Sequence, residues 1–421
     1  MSEIKNSLVS RVRGVIARLG NFFKIDMAYI ASGTFWGNAN YFLVSLFGFV
    51  SSILFARLLT KTQFGDYQYI LSIAGLISAT TLTGMNSALA RAVAKGYEGE
   101  LRKTVRFQII LGIIPTVIAF AVAVWYLMNG NADISTAFIW VALFLPAANA
   151  WNTWSAYMGG KKLFRVGTYF GFANTIISYS GTIIFLYFTH NFVWVAFGNF
   201  FFGFLGNLIM YYWVLKKVPP NDKTDPSTIP YGAHLSAMAL PGGVSAQLDA
   251  LLVFHFIGPA ALAVYSFATL LPEKFAGGIK FISNIALPKF SEKSEASVKN
   301  FIVKKMGWLL LFLGICAASY AAIAPWIFHV FFPTYGDSIP FTQVYSLSFF
   351  SIASGVVQVA LTSQQKTKEL YIVSFVLPAI KSILLVGMIY YWGVWGVLWA
   401  QIVTNFLAIP IQMSFLGGKK V

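Results

Sequence analysis

The sequence is poor in almost everything a soluble protein needs on its surface. Only 10% of its 421 residues are charged, and only 14 are acidic. It has a single cysteine, Cys316, inside an apolar run, so no intramolecular disulfide can form and a buried structural thiol is expected. Four histidines and one cysteine give no cluster with metal-ligand spacing. There is no phosphate-cradling glycine loop and no nucleophile motif. These gaps set aside disulfide scaffolds, zinc sites, nucleotide-binding enzymes and common hydrolases.

What is abundant is apolar surface. Hydrophobic residues make up 57% of the chain, and mean hydropathy is +0.70. A water-soluble globule cannot hide that much. The chain instead alternates apolar runs with short polar breaks, each run about the 20 residues needed to cross a hydrocarbon core of roughly 30 Å. The spacing predicts spans near 36–59, 67–90, 107–128, 134–157, 166–189 and 192–215, then 233–256, 259–285, 305–330, 338–362, 370–391 and 393–416. The fold class expected is all-α integral membrane, with about twelve transmembrane helices.

The net charge of +16 would suggest nucleic acid in a soluble protein. Here 25 of the 30 basic residues fall in every second segment: the N-terminal stretch, alternate connections such as Arg91 to Arg106 and Lys289 to Lys305, and the tail with Lys419 and Lys420. The other connections hold only Lys61. The positive-inside rule then puts both termini in the cytoplasm and makes the basicity a topology signal, with no nucleic acid needed.

Residues 1–30 read as a cytoplasmic, basic amphipathic helix. Apolar residues recur at helical spacing from Ile4 to Phe23, with Lys5, Arg11, Arg13 and Arg18 on the other faces, as suits a helix lying on an anionic leaflet. A six-span bundle over 31–215 follows, then a proline-rich cytoplasmic linker over 216–230, then a second six-span bundle over 231–421. The halves are weakly alike. Leu59-Thr-Lys-Thr-Gln-Phe-Gly-Asp-Tyr67 and Ile257-Gly-Pro-Ala-Ala-Leu-Ala-Val-Tyr265 occupy corresponding places, and Phe192-Val-Trp-Val-Ala-Phe-Gly198 is echoed by Gly393-Val-Trp-Gly-Val-Leu-Trp399. Repeats of six spans in one direction are a transporter plan.

Certain patches resemble a known family. Phe55-Ala-Arg-Leu-Leu-Thr-Lys-Thr-Gln-Phe-Gly-Asp-Tyr67, with Ser87-Ala-Leu-Ala-Arg91 closing the next helix, is similar to the "ARLLGPxxFGxY … SALxRxxA" opening of bacterial polysaccharide (O-antigen-type) flippases. Their superfamily also holds multidrug antiporters and lipid II flippases. Asp249 through Gly258-Pro259 to Tyr265-Ser266, and Leu287-Pro-Lys-Phe-Ser291, resemble later phrases of that family. Thr60-Lys61-Thr62 departs from the usual glycine-proline. The resemblance implies two six-helix bundles around a central cavity, worked by alternating access. It implies flipping of undecaprenyl-diphosphate-linked oligosaccharide, such as a lipopolysaccharide O-antigen unit, from the cytoplasmic to the periplasmic leaflet of the inner membrane. Implied partners are that substrate, membrane lipids, and a polysaccharide polymerase with its chain-length regulator; no cofactor beyond a coupling H⁺ or Na⁺ is implied.

Charges at membrane depth cost about 2.5–3.5 kcal/mol each on insertion scales, so they are functional candidates by default. Lys274, Lys280 and Lys381 are the deepest, with Arg57 near a helix end and Arg91 at the close of its helix; these are the candidate substrate cations, able to face a diphosphate or an acidic glycan. Glu273 and Lys280 share a helix face about 10 Å apart along the axis, too far to neutralise each other. Asp249 and Glu273 are candidates for ion coupling, since a carboxyl held from water can take up and release a proton near neutral pH. Structural pairing with a lysine is the alternative for each, and interfacial snorkelling for Arg57. Pro241-Gly242-Gly243 is expected to interrupt the seventh span as a hinge. Gln247, Asn284 and Gln358 are candidate sugar-binding residues, with interhelical hydrogen bonding as the alternative. His190 and His255 read as interfacial.

A drug or organic-cation antiporter predicts an acidic cavity, whereas this chain embeds more lysine than carboxylate. A membrane polymerase, an enzyme, needs a sizeable catalytic loop, and the predicted connections are too short. The expectation is a transporter rather than an enzyme.

Overall fold

The computed structural model describes the backbone of residues 27–291, 294–364 and 366–416, and the side chains of these except 27–39 and 278–291. Of the amphipathic helix expected over residues 1–30, residues 1–26 lie outside the described residues, as do Lys419 and Lys420, and residues 27–30 belong to the first described helix. All regular structure among the described residues is helical.

The described helices follow one another as twelve successive spans. Spans 1 and 2 are α1 (Met27–Leu58) and the pair α2 (Lys61–Ala79) and α3 (Met85–Ala94). Span 3 joins α4 (Glu100–Leu111) to α5 (Ile113–Met128), and span 4 joins α6 (Ala132–Trp151) to α7 (Thr153–Gly160). Spans 5 to 9 are α8 (Phe164–Thr189), α9 (Phe192–Lys217), α10 (Thr228–Phe256), α11 (Pro259–Ser291) and α12 (Glu295–Phe331). Span 10 is segmented: 3₁₀ turns over Pro333–Ser338 and Ser346–Phe350 flank α13 (Ile339–Tyr345), and α14 (Ser351–Ser363) completes it. Spans 11 and 12 lie in α15 (Thr367–Phe415), divided at Gly393, where φ is +56°. Nine helical stretches among the described residues are long and apolar enough to cross a membrane. Spans 2 and 8, with the division of α15, complete the twelve.

The tight turns follow from local chemistry. Thr60 caps α2 in a reciprocal box with Gln63, and the Asn131 and Asn191 side chains accept the first free amides of α6 and α9. Gly258, at φ +118°, turns span 7 into span 8 through a conformation that side chains resist.

Spans 1–6 form one bundle and spans 7–12 a second, each packed among its own members. An aromatic stack of Trp140, Phe144, Trp194, Phe197 and Phe201 joins spans 4 and 6. Between bundles, span 2 packs against spans 7 and 8. The two turns that look like an internal repeat meet here: a Cβ on Gly65 would collide with the Pro259 carbonyl. Close by, Phe64 packs on Phe267 (4.9 Å), Lys61 pairs with Asp337 at 2.6 Å, and Tyr69 lies 3.2 Å from His255 Nε2. These contacts join the two bundles on the face opposite the basic connections. Lys61, the lone basic residue predicted on that face, is part of them.

The expected interruption of span 7 is corrected by the structure. α10 is continuous through Pro241, Gly242 and Gly243; proline removes one backbone bond, and the helix runs on through it. The break is in span 2, over residues 80–84, where Leu82 takes a left-handed φ of 58°. Backbone freed at that depth needs partners. Gln108 Nε2 reaches the Thr81 and Leu82 carbonyls (3.5 and 3.4 Å), and Ser236 Oγ accepts the Gly84 amide at 3.0 Å.

The connection from α9 to α10 is bolted to the first bundle. Glu98 accepts from Lys161 (2.7 Å) and from the Asn221 amide (3.2 Å), with the Tyr157 hydroxyl 3.3 Å away. The Gly99 amide donates to the Lys223 carbonyl at 3.0 Å, and the Asp225 amide to Glu100 at 3.0 Å. Burial by itself would raise the Glu98 carboxyl; the bonds from Lys161, Asn221 and Tyr157 outweigh it and hold it below its usual value. A carboxyl lowered on folding stabilises above its unfolded pKa, and that support is lost as pH falls through the lowered value. Hydrogen bonds to a charge are worth about 1.5–3 kcal/mol, and 1.4 kcal/mol is about tenfold. Glu98→Gln at neutral pH should therefore speed hydrogen exchange at the Gly99 and Asn221 amides by about tenfold or more. Unchanged exchange would mean that the carboxylate does not hold the connection.

Candidate functional site

Three places gather the membrane-depth polar residues. The first is a groove where spans 1, 8 and 9 stand apart, a cavity of about 730 Å³. Its wall is apolar, with Phe42, Leu46, Phe49, Phe275 and Trp326, and among the described residues Lys274 is the one charged side chain lining it. Lys274 belongs to the second bundle but reaches into the first. A Cβ on Gly48 would lie 2.9 Å from its Nζ and 3.1 Å from the Tyr179 hydroxyl. Gly48 is therefore the notch that admits the ammonium. Tyr41 fixes the same stretch by donating to the Lys274 carbonyl at 2.9 Å, and Gly277 leaves room for its ring.

The second place is a buried network inside the second bundle. Asp249 Oδ2 accepts from the Tyr265 hydroxyl at 2.5 Å and from Gln401 Nε2 at 2.6 Å. Gln401 is also bonded to Tyr265. The Tyr345 hydroxyl lies 2.7 Å from Gln401 Oε1 and 3.2 Å from Glu273 Oε1. Asp249 and Gln401 are both buried, so these bonds carry the stabilisation that water cannot supply. Neutral donors hold Asp249; no lysine pairs with it among the described residues. Tyr345 has one proton for two acceptors. With a proton on Glu273, that carboxyl donates to Tyr345 and Tyr345 to Gln401, which aligns the bonds toward Asp249.

The third place is a cavity of about 400 Å³ among spans 7, 10, 11 and 12. Lys381 lines it and donates to the Ser245 carbonyl at 3.0 Å. Gln358 and Gly242 share the lining. Ser245 is one helical turn from Asp249, about 6 Å along the axis, so cavity and network adjoin.

The remaining predicted residues lie apart. Arg57 is exposed in the last turn of α1. Arg91 is exposed on the basic face, its guanidinium stacked over Tyr231 at 4.6 Å. Gln247 packs against Gly75 on the seam with span 2 rather than in the Lys381 cavity. Pro241 and Gly243 are half-buried in α10, and His190 ends α8 in a left-handed turn. The side chains of Lys280 and Asn284 lie outside the described residues. Residues that sequence reasoning passed over are Gly48, Tyr179, Tyr265, Tyr345, Gln401 and Gln412. A signal existed for some: Gln401, Thr404, Asn405 and Gln412 recur at helical spacing in an otherwise apolar span, which marks one polar face.

The polysaccharide biosynthesis protein family is matched over residues 30–294. No curated protein matches this chain in sequence. Solved transporters share the fold. An outward-facing multidrug resistance MATE family transporter of the MOP superfamily is 12% identical over 92% of this chain and 94% of that one, with a TM-score of 0.65. The lipid II flippase MurJ, in an inward closed conformation, is 13% identical over 90% and 86%, with a TM-score of 0.65. A MOP superfamily transporter from Pyrococcus furiosus, described by the reverse polarity of its binding pocket, is 15% identical over 92% and 95%, at 0.61. At these identities the likeness is one of fold.

The notch at Gly48 has a direct check. Gly48→Val should expel the Lys274 ammonium and raise its modification by an amine-directed reagent several-fold, read by mass spectrometry at equal membrane abundance. Equal modification in both proteins would show that the ammonium does not depend on the notch.

Proposed function

Because this chain belongs to the polysaccharide biosynthesis protein family, we propose that it flips undecaprenyl-diphosphate-linked oligosaccharide across the bacterial inner membrane by alternating access. The basic face is cytoplasmic on the positive-inside rule, and movement is toward the periplasmic leaflet. The observation that carries the reading is the groove between spans 1 and 8, which joins an apolar wall to the Lys274 ammonium. A polyprenyl chain can stay against the wall while Lys274 faces the diphosphate. A phosphate crossing hydrocarbon alone would meet a prohibitive desolvation barrier, and a fixed cation lowers it. Lysine serves as a mobile point charge and does not need two-pronged geometry.

The joined face and the groove fit one end of an alternating-access cycle. Opening the opposite side requires parting Lys61 from Asp337 and Tyr69 from His255. The part-exposed Lys61–Asp337 pair is worth about 0–1 kcal/mol and the hydrogen bond of the buried Tyr69 to His255 about 0.5–1.5 kcal/mol, a barrier that binding energy can offset. Asp249 and Glu273 are assigned to coupling, with H⁺ or Na⁺ binding at the network biasing the packing of spans 7, 8 and 12. An antiporter of organic cations is disfavoured by the lysines that line both cavities.

Flipping of a fluorescent lipid-linked oligosaccharide in proteoliposomes tests both parts. Lys274→Gln should lose at least about tenfold in rate, the loss expected for one charge-assisted bond, and Lys274→Arg should retain most of it. Asp249→Asn should flip equally with or without an imposed pH or sodium gradient. Native rates in Lys274→Gln would remove the cationic groove from the account, and an intact gradient response in Asp249→Asn would remove the coupling role.

A further inference from the structure

Lys274 is one of two hydrogen-bond donors that meet at the notch over Gly48, and the second comes from the other bundle. Where a side chain on Gly48 would begin, the Lys274 ammonium of α11 is 2.9 Å away and the Tyr179 hydroxyl of α8 is 3.1 Å away. The next nearest atom, at 3.9 Å, is Lys274 Cε itself. The space is thus bounded by two donors. A single oxygen seated just above Gly48 Cα comes within hydrogen-bond reach of both.

Neither donor is used up inside the protein. Among the described residues the Lys274 ammonium makes no ion pair, and neither it nor the Tyr179 hydroxyl has a hydrogen-bond partner. Glu273, next in sequence to Lys274, lies 3.2 Å from the Tyr345 hydroxyl in the second bundle. Both donors stay open to a ligand. Lys274 lines the groove, and Tyr179 is only half-buried, its hydroxyl keeping accessible surface. The Tyr179 ring rests beside Phe47, with centroids 6.1 Å apart. A phenylalanine would pack there equally well, so the hydroxyl adds nothing to the packing. A polar group held at membrane depth without a partner points to one from outside the chain.

We propose that Tyr179 is a second ligand of the diphosphate, with one phosphate oxygen above Gly48 accepting from the Lys274 ammonium and the Tyr179 hydroxyl together. This inference rests on the flippase reading and adds to it a binding residue and a mechanical consequence. Tyr179 belongs to span 5 of the first bundle and Lys274 to span 8 of the second. Bound cargo therefore ties the two bundles to each other at the groove. The tie is made of charge-assisted hydrogen bonds, which are shorter and stronger than neutral ones. The polyprenyl chain stays against the apolar wall while its head group makes the tie.

Equilibrium binding to the purified full chain in nanodiscs tests this with farnesyl diphosphate, farnesol and inorganic pyrophosphate. Tyr179→Phe removes one hydroxyl and should weaken farnesyl diphosphate about tenfold, the loss expected for one hydrogen bond to a charge. Farnesol, which has no phosphate, should bind both proteins equally, and that equality shows the variant to be folded. Pyrophosphate should displace labelled farnesyl diphosphate only at higher concentration than the unlabelled compound does, because it lacks the chain held by the wall. The distance distribution between spin labels at Tyr187 of span 5 and Ile315 of span 9, both exposed, should narrow when farnesyl diphosphate saturates the native protein and not the variant. Equal affinity of the two proteins for farnesyl diphosphate would overturn the proposal. So would a matching loss of farnesol binding, which would make Tyr179 part of the wall. Displacement by pyrophosphate at as low a concentration as farnesyl diphosphate itself would make this a site for free anions and would overturn it too. An unchanged distribution in the native protein would overturn the tie between bundles. Absence of flipping by the native protein, with the Tyr179-dependent affinity intact, counts against the flippase reading alone. Native flipping and native affinity in Tyr179→Phe count against this inference alone.

Discussion

The cost of holding charge away from water organises this molecule. Each unpaired charge at membrane depth opposes insertion by a few kcal/mol, and the described ones are all provided for. Asp249 has two neutral donors. Lys381 has a main-chain carbonyl and a polar cavity. Lys274 has a notch made by a missing side chain and a tyrosine hydroxyl beside it. Arg91, at the basic face, stacks on an aromatic ring. The provision is least complete at the two lysines, which keep donors available to a ligand. Function is expected where the protein leaves a charge only partly satisfied.

The seam between the bundles follows the same economy of contact. Span 2 meets the second bundle on both faces, through Gly65 against Pro259 at the start of span 8 on one face and Gly84 against Ser236 of span 7 on the other. Spans 1 and 8 touch mainly around Lys274 and part elsewhere into the groove. A substrate with a long apolar tail can enter between spans 1 and 8 while the contact of Gly84 with Ser236, which keeps spans 2 and 7 together, acts as the backbone of the motion. The break at Leu82 sits on that backbone, beside the point where span 2 crosses Ser236. The clamp at Glu98 moves any pivot in the connecting segment to beyond Asp225.

Much of the architecture was legible in the sequence, because it depends on sums. Runs of about 20 apolar residues and the alternation of lysine and arginine are collective signals, and an error in one residue hardly moves them. The site was legible only in part, because it depends on single contacts. The charges stood out by type: Lys274, Lys381, Asp249 and Glu273 are each costly in a membrane. Their partners did not, since a tyrosine or glutamine is unremarkable in a span until its neighbour on another helix is known. Gln401 links Asp249 across 152 positions of sequence, and no local pattern carries that pairing. The break was expected at Pro241-Gly242-Gly243 from composition, yet it lies at Thr80 to Gly84, where side chains from spans 3, 4 and 7 are placed to satisfy it. Lys61 looked like an exception to the charge rule and proves to be the cation of a contact between bundles.

The central claim is that the lipid-linked head group passes along the face between spans 1 and 8, with Lys274 as its fixed cation. Photo-crosslinking measures this most directly. A photoreactive residue would be placed in turn at Tyr41, Ser45 and Phe275 on the groove and at Ile73, Gln247 and Phe254 on the seam of spans 2 and 7, in membranes supplied with radiolabelled lipid-linked oligosaccharide. The account predicts labelling at the groove positions, reduced by Lys274→Gln, and none at the seam. Labelling confined to the seam, or groove labelling indifferent to Lys274, would contradict it.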